Sequence, residues 1–347
     1  MGVEQPTLPD EASELMAASL DTVIVNWNSG GQLRRCLASI QAANCEKFEL
    51  TRVVVVDNAS CDGSANELDG GILPLTLIRN TENRGFAAAC NCGAKTSQAD
   101  YLLFLNPDVC LLSASLIEPV AFMEKPENAK VGICGIQLLD EQGQISRTCS
   151  GFPTAFTHFS QMLGFDRLFP KLFPGHLLKR SDHGPSKDVN HVMGAFFLIR
   201  RALFESLQGF DERFFVYLED LDLSFRVFEA GWQSYYLATA RAYHKGGGCS
   251  EQVKAARLFY SLRSRILYSY KHFGWAAATG LLTGTLLVEP FSRLAWAAWR
   301  ESMQEIRETL RAYTMLWRAL PALLRECTLG RLRREPASQS LGSGIAD

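Results

Sequence analysis

The sequence predicts an α/β protein built on a mostly parallel central sheet, followed by a helical C-terminal region. Two observations carry this. Short β-branched or apolar runs alternate with segments whose apolar residues recur at helical spacing, the pattern of strand–helix–strand units. Each run also spills into turn-forming polar residues, which places those side chains at the carboxyl edge of a sheet, where open α/β folds bind ligands. The clearest instance is Thr51-Arg52-Val53-Val54-Val55-Val56-Asp57-Asn58-Ala59-Ser60-Cys61-Asp62-Gly63-Ser64, in which Asp57 closes the run.

Val23-Ile24-Val25-Asn26-Trp27-Asn28 is the first strand, ended by Ser29-Gly30-Gly31. Leu33, Cys36, Leu37 and Ile40 then recur at helical spacing. Val53 to Val56 is the second strand and Leu75 to Ile78 a short third. Phe86 to Ala94 reads as a helix of small residues just after Arg84-Gly85, and Tyr101 to Leu105 as a fourth strand running into Asn106-Pro107-Asp108. From Gly151 to Asp188, Pro, His and aromatic residues without a sustained period suggest a long loop or small subdomain, which in a compact domain is often functional. Val192 to Ile199 is strand-like, a helix starts near Arg201, and Phe214 to Asp222 leads into another helix ended by Gly231-Trp232.

Phe273 to Val288 is apolar, but its 16 residues fall short of the roughly 20 that span a bilayer. Trp275, Trp296 and Trp299 flank it, and between Arg300 and Arg334 eight Arg stand against four Glu with no Lys. Two readings fit: a segment lying in the interface of an anionic membrane, or a helical hairpin buried against the domain or against a second copy in a homodimer.

With 35 Lys plus Arg against 37 Asp plus Glu, no overall basic excess points to nucleic acid, and 47% hydrophobic residues suffice for a buried core. Ten cysteines are scattered without a CxxC pair, which argues for reduced thiols of a cytoplasmic protein. Cys90-Asn91-Cys92 is too tight for a structural zinc knuckle. The first twenty residues carry acids and no basic stretch before an apolar core, unlike a secretory signal.

Four elements taken in order resemble family-2 glycosyltransferases of the bacterial rhamnosyltransferase type. They are Val-Ile-Val-Asn-Trp-Asn28, Val-Asp57-Asn58-Ala-Ser-Cys-Asp62-Gly-Ser, Asn80-Thr-Glu-Asn83-Arg84-Gly85-Phe86-Ala-Ala-Ala-Cys-Asn91 and Leu105-Asn106-Pro107-Asp108. The match continues through Gly194-Ala195, Gly209-Phe210-Asp211, Glu219-Asp220-Leu-Asp222 and His244. The resemblance implies the GT-A fold and transfer of a sugar from a nucleotide donor with inversion. It implies a nucleotide-binding half over 21–110 and an acceptor half over 111–270, preceded by the first twenty residues, whose composition reads as a mobile leader. A helical stretch over 271–334, membrane-associated or oligomerising, and a flexible tail over 335–347 would follow.

A diphosphate leaving group carries concentrated negative charge, which a divalent cation held by oxygen ligands stabilises. Asp108 matches the family's metal-binding carboxylate and His244 a further ligand, a pair that suits Mn²⁺ better than Mg²⁺. Asn106 replaces the first carboxylate of the Asp-x-Asp form and is expected at the ribose or a metal-bound water. Asp57 resembles the carboxylate that contacts the nucleoside, with Asn28, Asn58 and Asp62 nearby, although a strand-end cap is the plainer role. Arg84, Gly85 and Asn91 resemble the segment beside the base and phosphates. Arg263 and Arg265 are expected to steady the diphosphate, against the alternative of a solvated helix face.

The acceptor hydroxyl must lose a proton as it attacks, which requires a base. Asp220 matches the family's base, and the apolar Phe214 to Leu218 approach is expected to raise its pKa by desolvation. Glu219 and Asp222 are its rivals, with Glu219 read as acceptor binding. The favoured chemistry is L-rhamnosyl transfer from a dTDP-sugar, with a UDP-sugar or another donor open, onto a lipid-linked or polysaccharide acceptor. The protein would act at the cytoplasmic face of the membrane as a peripheral enzyme. A nucleotidyltransferase would need a Gly-rich triphosphate loop that Ser29-Gly30-Gly31 does not supply. A non-catalytic sugar-nucleotide-binding protein is the reading from outside enzymology.

Overall fold

The computed structural model describes residues 17–332 apart from 67, 69 and 247–252, with side chains to residue 328. The flexible tail over 335–347 lies outside the described residues, as does the leader up to residue 16. The leader's last residues are not separate from the fold, because the first strand begins at Ala18.

The chain runs β1 (Ala18–Asn26), α1 (Gln32–Ala42), β2 (Phe48–Asp57), β3 (Leu75–Arg79), α2 (Phe86–Ala94), β4 (Tyr101–Leu105), β5 (Val109–Leu111), α3 (Ile117–Met123) and β6 (Val131–Leu139). It continues with β7 (Cys149–Ser150), α4 (Ala155–Leu163), α5 (Phe165–Leu168), β8 (Lys187–Val189), β9 (His191–Val192), β10 (Phe196–Arg200), α6 (Arg201–Ser206), α7 (Glu219–Glu229) and β11 (Gln233–His244). Four helices follow: α8 (Lys254–His272), α9 (Trp275–Leu287), α10 (Glu289–Trp299) and α11 (Met303–Leu332).

One sheet organises these elements, in the order β3-β2-β1-β4-β10-β6-β11-β5 with β8 added on β11. The β3-β2-β1-β4 edge is parallel throughout, as the alternating strands and helices predict. Beyond β4 the sheet is mixed: β10 is antiparallel to β4 and β6, while β11 is parallel to β6 and antiparallel to β5 and β8. The chain leaves β1 for β2 and β3 on one side and returns for β4 on the other. A crevice therefore opens at the carboxyl ends of β1 and β4, the switch point at which such sheets take ligands.

The Val53–Val56 run is apolar without alternation because both faces of the sheet are covered. Val53 and Val55 pack with Leu33, Leu37 and Ile40 of α1, and Val54 and Val56 with Ala87, Cys90 and Ala94 of α2. Each such valine, fully buried, stabilises the fold by roughly 1.5–3 kcal/mol. A third core joins the C-terminal helices to this body. Phe259, Leu262 and Ile266 of α8 meet Phe214 and Leu221 on one side and Tyr313 and Leu316 of α11 on the other.

The Gly151–Asp188 stretch is a small subdomain rather than a bare loop. Thr154 caps α4 through its hydroxyl, which accepts from Thr157 N, and Gly164 ends the helix in the left-handed conformation at φ 75. The two-stranded β7–β9 sheet closes its base.

Candidate active site

β1 and β2 end side by side, with Asn26 in register with Asp57. Asn26 Nδ2 donates to Asp57 Oδ1 at 2.9 Å and also reaches Ser64 Oγ and Ser60 Oγ. Buried Asp57 is thereby fixed at the strand end, with Arg79 3.9 Å from its other oxygen. Asn28 has a positive φ of 50, a conformation Asn tolerates, and its Oδ1 accepts from Cys61 N at 2.8 Å. Asp62 accepts from Gly30 N and Ser64 N. Burial acts to raise its pKa, but these hydrogen bonds outweigh burial and hold the carboxyl below the usual range. Asn58 is the hub of the next loop: it accepts from Asn80 Nδ2 and Arg84 N and donates to Asn83 Oδ1 and Gly85 O.

Gly85 has φ 86, and a Cβ there would lie 2.4 Å from the carbonyl oxygen of Phe215. That contact lets Phe86 N donate to the same oxygen at 2.6 Å. The loop beside the crevice thus abuts the segment that leads to Glu219 and Asp220.

Asp108 follows β4 through the Asn106-Pro107 turn and enters β5, whose partner β11 places His244 opposite Val109. His244 Nε2 lies 3.3 Å from Asp108 Oδ1, and both side chains are 10% exposed. Burial acts to raise the pKa of Asp108, but His244 outweighs it and keeps the carboxyl ionised. A carboxylate oxygen and an imidazole nitrogen side by side fit a borderline divalent ion such as Mn²⁺, with coordination positions left for donor oxygens and water. Among the described residues no group of three His, Cys, Asp or Glu clusters as a closed metal site, Cys90 and Cys92 included, and the cysteines there are free thiols.

The third corner is the first turn of α7. Tyr217 and Leu218 precede it with φ of 69 and 66, two non-glycine residues in succession in the left-handed region. Such backbone persists only when its surroundings enforce it and gathers at functional sites. It turns Asp220 toward β9 and β10, where Gly194 N donates to Asp220 Oδ2 at 2.7 Å. Leu221 N donates to the other oxygen at 2.8 Å. A Cβ on Gly194 would lie 3.2 Å from Asp220 Oδ2, so glycine permits this approach. The next residue along, Ala195, accepts from Asn106 N at 3.0 Å. One backbone step therefore joins the Asp220 corner to the Asp108 corner, both beyond the carboxyl end of β4.

The expected rise in the pKa of Asp220 is corrected by the structure. Burial pushes it up, but His191, 3.3 Å away, and the two backbone donors outweigh burial and hold the carboxyl below its ordinary range. The upward shift falls on Glu219, where burial and then the charge of Asp220 push the carboxyl well up. Glu219 Oε2 is buried with no hydrogen-bond partner among the described residues.

Residues 21–208 match the family model described as glycosyl transferase family 2. The chain belongs to glycosyl transferase family 2. It is related to bacterial rhamnosyltransferases. The N-acetylglucosaminyl-diphospho-decaprenol L-rhamnosyltransferase of Mycobacterium tuberculosis (strain ATCC 25618 / H37Rv) is 26% identical over 285 residues, 75% of this chain and 87% of the relative. The rhamnosyltransferase WbbL of Escherichia coli (strain K12) is 29% identical over 147 residues, 42% of this chain and 52% of the relative. Among solved structures, GalNAc-T7 with UDP, GalNAc and Mn²⁺ superposes with a TM-score of 0.53 at 16% identity, covering 93% of this chain and 59% of that one. The fold is GT-A-like, a central sheet with flanking helices and a C-terminal helical region.

Within this family 2 glycosyltransferase, four residues expected at the site are engaged elsewhere. Asp222 is fully buried between Arg226, Lys271 and His272, which outweigh burial and bring its pKa down to about 2. It is a structural anion, not a rival base. Arg265 is buried against Glu289 and Thr285, and Arg263 against Glu326 and the Arg213 carbonyl, so neither guanidinium is turned to a diphosphate. Asn91 holds Phe210 through both its backbone groups and also reaches Glu212, a latch between the two halves. Arg84, by contrast, is half-exposed, with Glu212 3.9 Å away. His191 was not evident from the sequence; its signal is a polar ring immediately before the strand-like Val192 to Ile199 run and three residues ahead of Gly194.

Proposed function

We propose that this enzyme moves a sugar from a nucleotide donor onto a hydroxyl of a lipid-linked or polysaccharide acceptor, with inversion, in cell-surface glycan synthesis. The favoured donor is dTDP-L-rhamnose, in line with the two relatives named above, and a UDP-sugar is the alternative. The observation that carries the reading is the backbone step between Asn106 and Ala195, which sets the Asp108–His244 pair beside the Gly194-held carboxylate of Asp220.

Asp108 Oδ1 and His244 Nε2 would hold a divalent cation, which when bound neutralises charge developing on the departing diphosphate. Asp57, Asn28 and Asp62 line the nucleoside end of the crevice, and Arg84 and Gly85 border it. Asp220, ionised by its donors, takes the acceptor's proton as the acceptor oxygen bonds to the anomeric carbon and the bond to the diphosphate breaks. A single displacement of this kind inverts the centre. Protonated Glu219 offers a hydrogen bond to the acceptor from the adjacent position.

Thermal unfolding with a panel of nucleotide sugars, with and without Mn²⁺, tests donor and metal together, since only a ligand bound to the native state raises stability by mass action. Stabilisation by dTDP-L-rhamnose that requires Mn²⁺ and is lost in Asp108→Ala is expected. Metal-independent stabilisation unchanged in that variant would overturn the metal assignment.

The reading extends to the membrane. Among the described residues no helix is long and apolar enough to cross a bilayer. One side of α9 is buried at Ala278, Leu281 and Gly284, against α4. Leu287, Phe291 and Trp299 on the α9–α10 side and Leu168, Phe169 and Leu172 on the small subdomain are exposed. The two elements touch where Ser292 donates to the Met162 carbonyl and where Arg167 lies over the Trp296 ring. This apolar face, together with the exposed Arg311, Arg318 and Arg325 of α11, suits peripheral docking on an anionic leaflet at the cytoplasmic side. Co-sedimentation with anionic vesicles that falls in Phe291→Ser/Trp299→Ser is expected. A variant that leaves sedimentation unchanged but converts a dimer to a monomer would make the face an oligomer interface.

A further inference from the structure

Asp220 has a partner that the transfer reaction alone does not require. β7 and β9 pair in register with Ser150 opposite His191, and both residues are buried. Ser150 Oγ lies 2.9 Å from His191 Nδ1, which fixes the ring from behind. The other ring nitrogen, Nε2, lies at an ion-pair distance of 3.3 Å from Asp220 Oδ2 and makes no hydrogen bond among the described residues. A buried ring nitrogen without a hydrogen bond is costly unless the charge beside it compensates.

The other titratable groups around this pair do not compete. On α7, Glu219 is pushed up by burial and the Asp220 charge, and Asp222 is matched by Arg226, Lys271 and His272. On α2, burial pushes the Cys90 thiol well up, so it stays neutral. From the small subdomain, His176 faces His191, and burial followed by the charges of His191 and Arg147 brings it down to about 4. His191 is left as the group that answers the Asp220 carboxylate.

We propose that His191, anchored by Ser150, is a positioning residue for transfer: it holds Asp220 ionised and turned to receive the proton of the acceptor hydroxyl. The imidazole and the Gly194 N–H approach the same carboxylate oxygen, the ring nitrogen at an ion-pair distance of 3.3 Å and the N–H through its 2.7 Å hydrogen bond. Asp220 cannot then rotate away or enter the reaction already protonated. β7 and β9 flank the small subdomain, so the pair that holds Asp220 sits at its base.

This inference rests on Asp220 being the base, and the test separates the two. The carboxyl of Asp220, labelled with ¹³C and assigned by its loss in Asp220→Asn, is titrated in the wild type, His191→Phe, His191→Gln and Ser150→Ala. His191→Phe should move the Asp220 titration upward by about one pH unit, a tenfold change in the ionised fraction at a given pH. His191→Gln, which keeps an N–H donor, should recover part of it, and Ser150→Ala should move it upward by less. With dTDP-L-rhamnose and a short-chain N-acetylglucosaminyl-diphospho-lipid, the acid limb of kcat against pH should move in the same direction while the donor KM holds. An Asp220 titration unchanged in His191→Phe and Ser150→Ala overturns the inference. An upward-shifted titration together with wild-type turnover in Asp220→Asn supports the pairing and removes Asp220 from the base role instead.

Discussion

Two regions of this enzyme bury carboxylates, and they treat the charge in opposite ways. Where α8 meets α7 and α10, each anion is matched: Asp222 by Arg226, Lys271 and His272, and Glu289 by Arg265 and Arg293. At the first turn of α7 two adjacent carboxyls part: Asp220 is held ionised by His191 and two backbone donors, while Glu219 keeps an oxygen without a hydrogen-bond partner among the described residues. Matched carboxylates lock helices together. An unmatched one, such as Glu219, retains a preference for the proton.

The largest expected break of this comparison is Asp220→Asn. The amide keeps the shape and the Gly194 contact but cannot take a proton, so kcat should fall by about 10²–10⁴. Donor affinity, read by isothermal titration, should stay within about twofold, because the role proposed for Asp220 concerns the acceptor's proton and not the donor. Turnover within tenfold of wild type would return the base role to Glu219.

The matched region should break the other way, in stability and not in turnover. Arg265→Ala leaves Glu289 buried beside a vacated site and is expected to cost about 3–5 kcal/mol, seen as a lower denaturant midpoint with kcat of the folded fraction unchanged. Replacing the whole triad, Arg265→Met with Glu289→Leu and Arg293→Leu, should recover most of that loss, since removing a buried ion cluster together is often neutral. A specific loss of donor binding in Arg265→Ala would restore the guanidinium to the diphosphate.

That contrast also shows how far the sequence was legible. The Tyr101–Leu105 strand and the Phe86–Ala94 helix have the boundaries their patterns predict, because a fully buried parallel strand and a small-residue helix are written locally. β11 was not evident, since its inward positions Ala238, Ala240 and Ala242 alternate with Thr239 and Arg241 and alanine is a poor strand former. Asp57, Asp108, Asp220 and His244 stand at element ends, where ordered motifs mark them. The partners of Arg263 and Arg265 could not be read: two apart on a helix, they face different neighbours, Glu326 and Glu289, set only by how α8 to α11 fold back. His191 escaped for the same reason, because its meaning depends on Ser150, 41 residues away across β7–β9.

The matched anion Asp222 carries a pH signature. Its folded pKa of about 2 lies below the ordinary 3.8, so it stabilises the native state above that ordinary value and the contribution is lost as pH falls toward 2. A shift of this size corresponds to about 2–3 kcal/mol. Urea unfolding from pH 7 to 3 should therefore show a steeper loss in wild type than in Asp222→Asn, which begins less stable and has nothing further to lose at this position.

The under-matched neighbour should give the smallest effect and the opposite sign. Burial and the Asp220 charge raise the folded pKa of Glu219 well above the ordinary 4.5, so the native state holds a proton that the unfolded chain has released at neutral pH. The stability associated with that group is full below the ordinary value and declines as pH rises through the gap toward the folded pKa. Glu219→Gln imitates the protonated acid and carries no such dependence. It should match wild type near pH 4 and exceed it at pH 8, with kcat retained within a few-fold because the amide still donates. A variant less stable than wild type at pH 8 would mean that Glu219 is ionised in the fold and that the contrast between the two regions is one of placement, not of charge matching.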